Sequence, residues 1–243
     1  MRGLIEALQF LTIFRFKKTV INIEGIAASK IYFPLIGAFL GLILILVNTT
    51  LTGILPQSLL NLLLVGILII LSGGLHLDGL SDTFDALFSG KSKEEMLAIM
   101  KDCHKGAFGV TAIIFLILFK VNLLSLLSVT FKNQGLFLMC VLSRYSLNTA
   151  ISFFPYARQE GKAKVFFEVK DKILFYIPTL LAVILAGFTL KLTGLLISGL
   201  VIIFTLITGK FVKNILGGIT GDILGAISEL NELFVLFLIF ILI

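Results

Sequence analysis

The feature that most limits how this chain can fold is a series of apolar stretches, each about as long as a bilayer is thick. A helix rises about 1.5 Å per residue, so about 20 apolar residues cross a hydrocarbon core of about 30 Å. Windows of that length mark seven candidate spans, at residues 31–52, 57–75, 107–130, 133–154, 173–190, 192–209 and 224–243. Composition agrees, with 58% of the 243 residues hydrophobic and only 14% charged. The expected fold is all-α: a polytopic integral membrane bundle of about seven transmembrane helices plus amphipathic interfacial helices, forming one domain over 1–243. The opening "MRGLIEALQFLTIFRFKK" is not expected to be a signal peptide, because Glu6 interrupts its apolar run and no small-residue cleavage site follows. It reads as an interfacial helix within 1–30, anchored by Arg15, Lys17 and Lys18. Cys103 and Cys140 suggest neither a disulfide framework nor a metal knuckle.

The connections sort by length and charge. Short ones lie near Gly53–Pro56, Phe131–Lys132 and Lys191, and long polar ones at 76–106, 155–172 and 210–223. With an inside N-terminus, every long connection falls on one side. Of the 20 Lys and Arg residues, all but Lys120, Lys132, Arg144 and Lys191 lie there, so that side is expected to be cytoplasmic. The 14 acidic residues fall on the same side or at that end of a span. The net charge of +6 therefore reflects a membrane surface or a phosphate-bearing ligand; no nucleic-acid partner is expected. No internal repeat is evident, which speaks against a transporter built from duplicated halves.

Four polar clusters carry the chemistry. The first, "GGLHLDGLSDTFDALFSG" at 73–90, sets Asp78, Asp82 and Asp85 at i, i+4 and i+7. On a helix these fall within about 60° of one another, opposite Leu77, Leu80, Phe84, Leu87 and Phe88. Three hard oxygen donors with no cation on their own face suit Mg²⁺ better than a structural ion pair, although a solvated helix face is the plainer alternative. The second, "SKEEMLAIMKDCHKGAFG", has a Ser92/Glu95 capping box and Gly106 as C-cap, predicting a helix over 93–105. Its end carries Lys101, Asp102, His104 and Lys105; macrodipole complementarity accounts for the lysines but not for Asp102. The third, "KNILGGITGDILGAISELNE" at 213–232, has a Gly-rich turn around Thr220 and Gly221 whose N–H groups could cradle a phosphate, or in which Asp222 serves only as N-cap. Glu229 and Glu232 then enter a span with no local cation. The fourth pairs Lys120 and Arg144, ionisable residues inside predicted spans; each is either functional or the structural partner of those carboxylates. A further basic loop, "YARQEGKAKVF" at 156–166, is accounted for by an inside anchor, with Arg158 kept as a candidate phosphate contact. Together these suit metal-assisted transfer on a diphosphate at the cytoplasmic membrane boundary.

In order and spacing, "GGLHLDGLSDTFDALFSG", "MLAIMKDCHKGAFG", "YARQEGKAKVF" and "LGGITGDILGAISELNEL" resemble the motifs of the cobalamin synthase family, also called adenosylcobinamide-GDP ribazoletransferases. "LIEALQFLTIFRF" and "YFPLIGAFLGLI" fit as well, so the resemblance runs nearly end to end. It implies a Mg²⁺-dependent membrane enzyme with adenosylcobinamide-GDP and α-ribazole or its 5′-phosphate as substrates, and adenosylcobalamin or its 5′-phosphate and GMP as products. The family's Asp-Ser-Arg is here Asp102-Cys103-His104, followed by Lys105 and Gly106. Arginine binds phosphate as a permanently charged fork, which histidine does not, so Lys105 is expected to take that contact or the affinity to depend on pH.

Mapped onto this chain, Asp78, Asp82 and Asp85 would hold the metal. His76, Asp82, Asp102 and Asp222 are the catalytic candidates. His104, Lys105, Arg144, Arg158, Thr220, Gly221 and Glu229 would face substrate or phosphate. Two rival readings are a Mg²⁺-dependent prenyltransferase and a cation-coupled transporter. A homo-oligomer is compatible with the sequence, which fixes no oligomeric state.

Overall fold

The computed structural model describes residues 2–16 and 23–243, so the expected anchors Lys17 and Lys18 lie outside the described residues. The helices are α1 (Arg2–Leu11), α2 (Ile23–Ala28), α3 (Phe33–Leu51), α4 (Gln57–Leu71), α5 (Leu75–Leu87), α6 (Lys93–Ile99), α7 (Ala107–Leu126), α8 (Val129–Phe153), α9 (Val165–Glu168), α10 (Ile173–Leu216) and α11 (Gly221–Leu242). No strand occurs among the described residues, only two isolated bridges. Five helical segments are long and apolar enough to cross a membrane, or six when the bent pair α4–α5 counts as one.

Helix α8 is the hub, buried along almost its whole length against α3, α10 and α11. Helix α3 lies on it backbone to backbone: a Cβ at Gly37 would strike the Cys140 carbonyl, and one at Gly41 would meet the Phe137 Cα. Small residues at i and i+4 permit this where lipid supplies no hydrophobic drive between helices. On the other side α11 packs on α8, and α5 on α11.

Two breaks shape the rest. Helix α4 has only 15 residues, and α5 leaves it at 90°. Gly73 and Gly74 make the bend, with φ of 65° and 66°, in the left-handed region that glycine enters without Cβ strain. The segment after α1 docks here, the Ile13 N–H donating to the Leu71 carbonyl at 2.9 Å. Helix α10 has 44 residues and would run about 66 Å if straight. It breaks at Leu190 (φ −130°, ψ 20°) and Lys191 (φ 51°, ψ −130°). A Cβ at Gly194 would collide with the Ala186 carbonyl, so the chain turns back on itself there.

The expected helix over 93–105 is shorter. Its Ser92/Glu95 capping box is present, but α6 ends at Ile99, and Gly106 is the N-cap of α7 rather than a C-cap. The chain thus leaves helical geometry before Lys101, freeing 101–106 to cross over α5.

Candidate active site

The carboxylates of α5 are not left without partners. Leu80 packs into an apolar cluster with Leu116 and Ala226, beside Leu77 and Phe84, as the predicted apolar face requires. On the polar face Lys105 reaches over from the loop, its Nζ 2.6 Å from Asp78 Oδ1 and 2.5 Å from Asp82 Oδ1. Burial alone would lower the Lys105 pKa, but its hydrogen bonds to Asp78 and Asp82 outweigh this and raise it. The expectation of a face without a cation is therefore corrected: the cation comes from 23 residues away, beyond the reach of helical periodicity. Asp85 points elsewhere. Its Oδ2 accepts from the Gly106 N–H at 2.7 Å and its Oδ1 from the Gly109 N–H at 2.8 Å, satisfying unpaired donors at the start of α7.

The Gly-rich turn is a structural joint. Gly217 (φ 80°) ends α10 in left-handed geometry, and a Cβ at Gly218 would meet the Pro155 carbonyl. The Ala157 N–H donates to Ile219 O at 2.9 Å and the Ile219 N–H to Pro155 O at 2.9 Å, fastening the basic loop to this turn. Thr220, not Asp222, is the N-cap of α11: its Oγ1 accepts from the Ile223 N–H at 3.2 Å. Asp222 instead stands 2.8 Å from Arg158 Nη2. Close packing brings α11 to α5, since a Cβ at Gly79 would strike the Asp222 backbone and one at Gly225 the His76 backbone.

These elements enclose a cleft of about 400 Å³ whose lining includes Arg15, His76, Asp78, Arg158, Lys162 and Asp222. His76 is buried and makes no hydrogen bond among the described residues; its Nδ1 is without a partner. Gly221 lines the cleft as well, whereas Thr220 is fully buried beneath it. Tyr156 borders it, with a hydroxyl pKa raised by burial.

Other predicted residues lie apart. Asp102 and His104 form an exposed pair, His104 Nδ1 to Asp102 Oδ1 at 2.7 Å, outside the cleft lining. The backbone N–H of His104, followed by its ring, lowers the Asp102 pKa. Together with Cys103 they are the one set of three such side chains, among the described residues, whose ligand atoms converge; Asp78, Asp82 and Asp85 do not. Arg144 and Glu229, grouped above with the phosphate-facing residues, sit inside the bundle. Lys120 Nζ contacts Glu229 Oε2 at 2.5 Å and also Glu232, and Arg144 pairs with Glu232. This quartet balances its own charge, the structural alternative read from the sequence. Arg15 and Lys162 were not singled out as ligand contacts, because a basic residue in a cytoplasmic loop is explained by topology alone.

The chain is 36% identical over 96% of its length to the adenosylcobinamide-GDP ribazoletransferase of Desulforamulus reducens, covering 94% of that protein. It is 37% identical to the enzyme of that name from Desulfitobacterium hafniense (96% of this chain, 94% of the relative). It is also 37% identical to that from Escherichia coli (88% and 87%). No solved structure matches. Residues 3–240 match the family described as cobalamin-5-phosphate synthase, and the chain belongs to it.

Proposed function

We propose that this chain is a membrane transferase that joins adenosylcobinamide-GDP to α-ribazole or α-ribazole 5′-phosphate, giving adenosylcobalamin or its 5′-phosphate and GMP. What supports it most is one cleft combining carboxylates, an unbonded imidazole and three cations, in a chain of the cobalamin-5-phosphate synthase family. Counting the two arms of α10 separately and α4–α5 as one gives seven crossings of the cytoplasmic membrane. The loop charges then favour an active face turned to the cytoplasm.

Mg²⁺ is the proposed cofactor. Asp78 and Asp82 suit it, being hard oxygen donors that already share one cation, the Lys105 ammonium. Asp85 is the poorer candidate, because a backbone N–H already bonds each of its oxygens and the three carboxylates do not converge. Bound there, the ion would offset the charge that develops on the diphosphate.

The chain's own groups supply the rest. Lys105 steadies oxygens of the diphosphate. The ribazole 3′-hydroxyl oxygen forms a bond to the phosphorus bearing the corrinoid arm, and the bond from that phosphorus to the GMP oxygen breaks. His76 takes the hydroxyl proton, since Asp222 is committed to Arg158 and Asp102 lies outside the cleft. The test is to incubate purified protein in detergent with adenosylcobinamide-GDP, α-ribazole and Mg²⁺. GMP and cobalamin are expected, and EDTA should abolish both. Release of pyrophosphate, or no GMP, would overturn the reading.

A further inference from the structure

The cleft is electrically lopsided. Its charged lining sets Arg15, Arg158 and Lys162 against Asp78 and Asp222. Asp78 shares the single charge of Lys105 with Asp82, and Asp222 faces Arg158, so the set as a whole carries one positive charge in excess. Among the described residues neither Arg15 nor Lys162 makes an ion pair. Arg15 Nη1 donates to the backbone carbonyls of Gln9 at 2.5 Å and Thr12 at 2.7 Å, which positions the guanidinium without neutralising it. Among the described residues Lys162 has no hydrogen-bond partner, whereas Lys164, two residues on, is held by the Gln159 carbonyl at 2.7 Å.

Arg158 has donors to spare as well. Its Nη2 lies 2.8 Å from Asp222 Oδ2 but is not aligned for a hydrogen bond, and among the described residues neither Nη2 nor Nε, both buried, makes one. A buried N–H with no acceptor is costly unless a ligand supplies one. The loop carrying Arg158 and Lys162 is fixed by the backbone bonds to Ile219, so these donors are held ready. The same cleft has an apolar flank in which Phe10 stacks on Phe33, with centroids 6.0 Å apart. Such a lining suits a ligand that is apolar at one end and anionic at the other.

We propose that Arg15, Arg158 and Lys162 hold the terminal phosphate of the acceptor and so make the cleft discriminate α-ribazole 5′-phosphate from α-ribazole. This rests on the transferase reading above. The diphosphate of the guanosine-bearing donor could present the same chemistry, and the experiment separates the two sources.

The measurement is kcat/KM for each acceptor at saturating donor, with KM for the donor determined separately. Calorimetric titration of α-ribazole 5′-phosphate without donor gives binding independently of turnover. In Lys162→Met and Arg15→Gln the preference for the phosphorylated acceptor should fall about 10- to 100-fold each, the worth of one charge-assisted contact. Binding of α-ribazole 5′-phosphate should weaken by a similar factor. Lys162→Arg should restore both. Lys164→Met, the same charge change on the same loop, should leave the preference intact. Equal losses on both acceptors, or a defect confined to donor KM, would overturn the proposal while leaving the transferase reading standing. Absence of GMP from the wild-type protein would overturn both.

Discussion

Lys105 Nζ stands 2.5 Å from Asp82 Oδ1 and joins the loop before α7 to the middle of α5. Lys105 therefore supplies both order and charge beside Asp78, which lines the cleft. Asp82→Asn removes a proposed metal oxygen but keeps the side chain's shape, so GMP formation should fall by roughly 100-fold or more. Near-wild-type turnover of this variant at saturating Mg²⁺ would exclude Asp82 from the reaction.

The same contact gives a pH dependence. The folded-state pKa of Lys105 is raised above its ordinary value of 10.5, so its stabilising contribution is complete at neutral pH. It is lost only as pH climbs through the raised pKa. Thermal unfolding in detergent should therefore show an alkaline loss of stability that is smaller in Lys105→Gln. An identical alkaline profile for the two proteins would remove this link.

The buried quartet should be intolerant of a single charge change. Glu232→Gln leaves Lys120 and Arg144 facing Glu229 alone, an uncompensated charge inside the bundle. The expected cost is about 3–5 kcal/mol, read as a large drop in unfolding temperature or in folded yield. Glu232→Gln combined with Lys120→Met restores neutrality and should recover part of that loss. No recovery would mean the charges are not coupled.

Lys191 sits at φ 51° and ψ −130°, where a Cβ is strained. Lys191→Gly should raise stability by roughly 1 kcal/mol, measured by denaturation in detergent micelles. A destabilised variant would show that the side chain contributes more than the backbone loses.

Gly79 faces the Asp222 backbone, whereas Gly66 faces open space. Gly79→Leu should wedge α5 from α11 and abolish activity even where the protein folds. Gly66→Leu, the same change in bulk, should be nearly silent. Equal effects would deny the close approach any special role.

Much of this architecture was legible from apolar length, because a bilayer leaves a chain few options. Most helices fall on the predicted spans, and the predicted reversal at Lys191 is where α10 folds back. The 90° turn was hidden, since Gly73 and Gly74 read equally well as the end of a span. In the site, Asp78, Asp82, Asp85 and Asp222 were visible as unusual carboxylates in an apolar chain. Their division of labour was not. Whether Asp85 caps a helix or faces Asp78 depends on where residues 101–109 cross, and Asp222 lost the capping role to Thr220 through one turn of backbone geometry. Arg15 stayed hidden because nothing local ties residue 15 to residue 158; tertiary docking, of Ile13 on Leu71 and of Phe10 on Phe33 and Phe166, brings them to one cavity.

The paired backbone bonds between 155–157 and Ile219 make the lip of the cavity part of the scaffold rather than a hinged cover. A ligand arriving there meets a surface already in place, so little of its binding energy goes into ordering that lip.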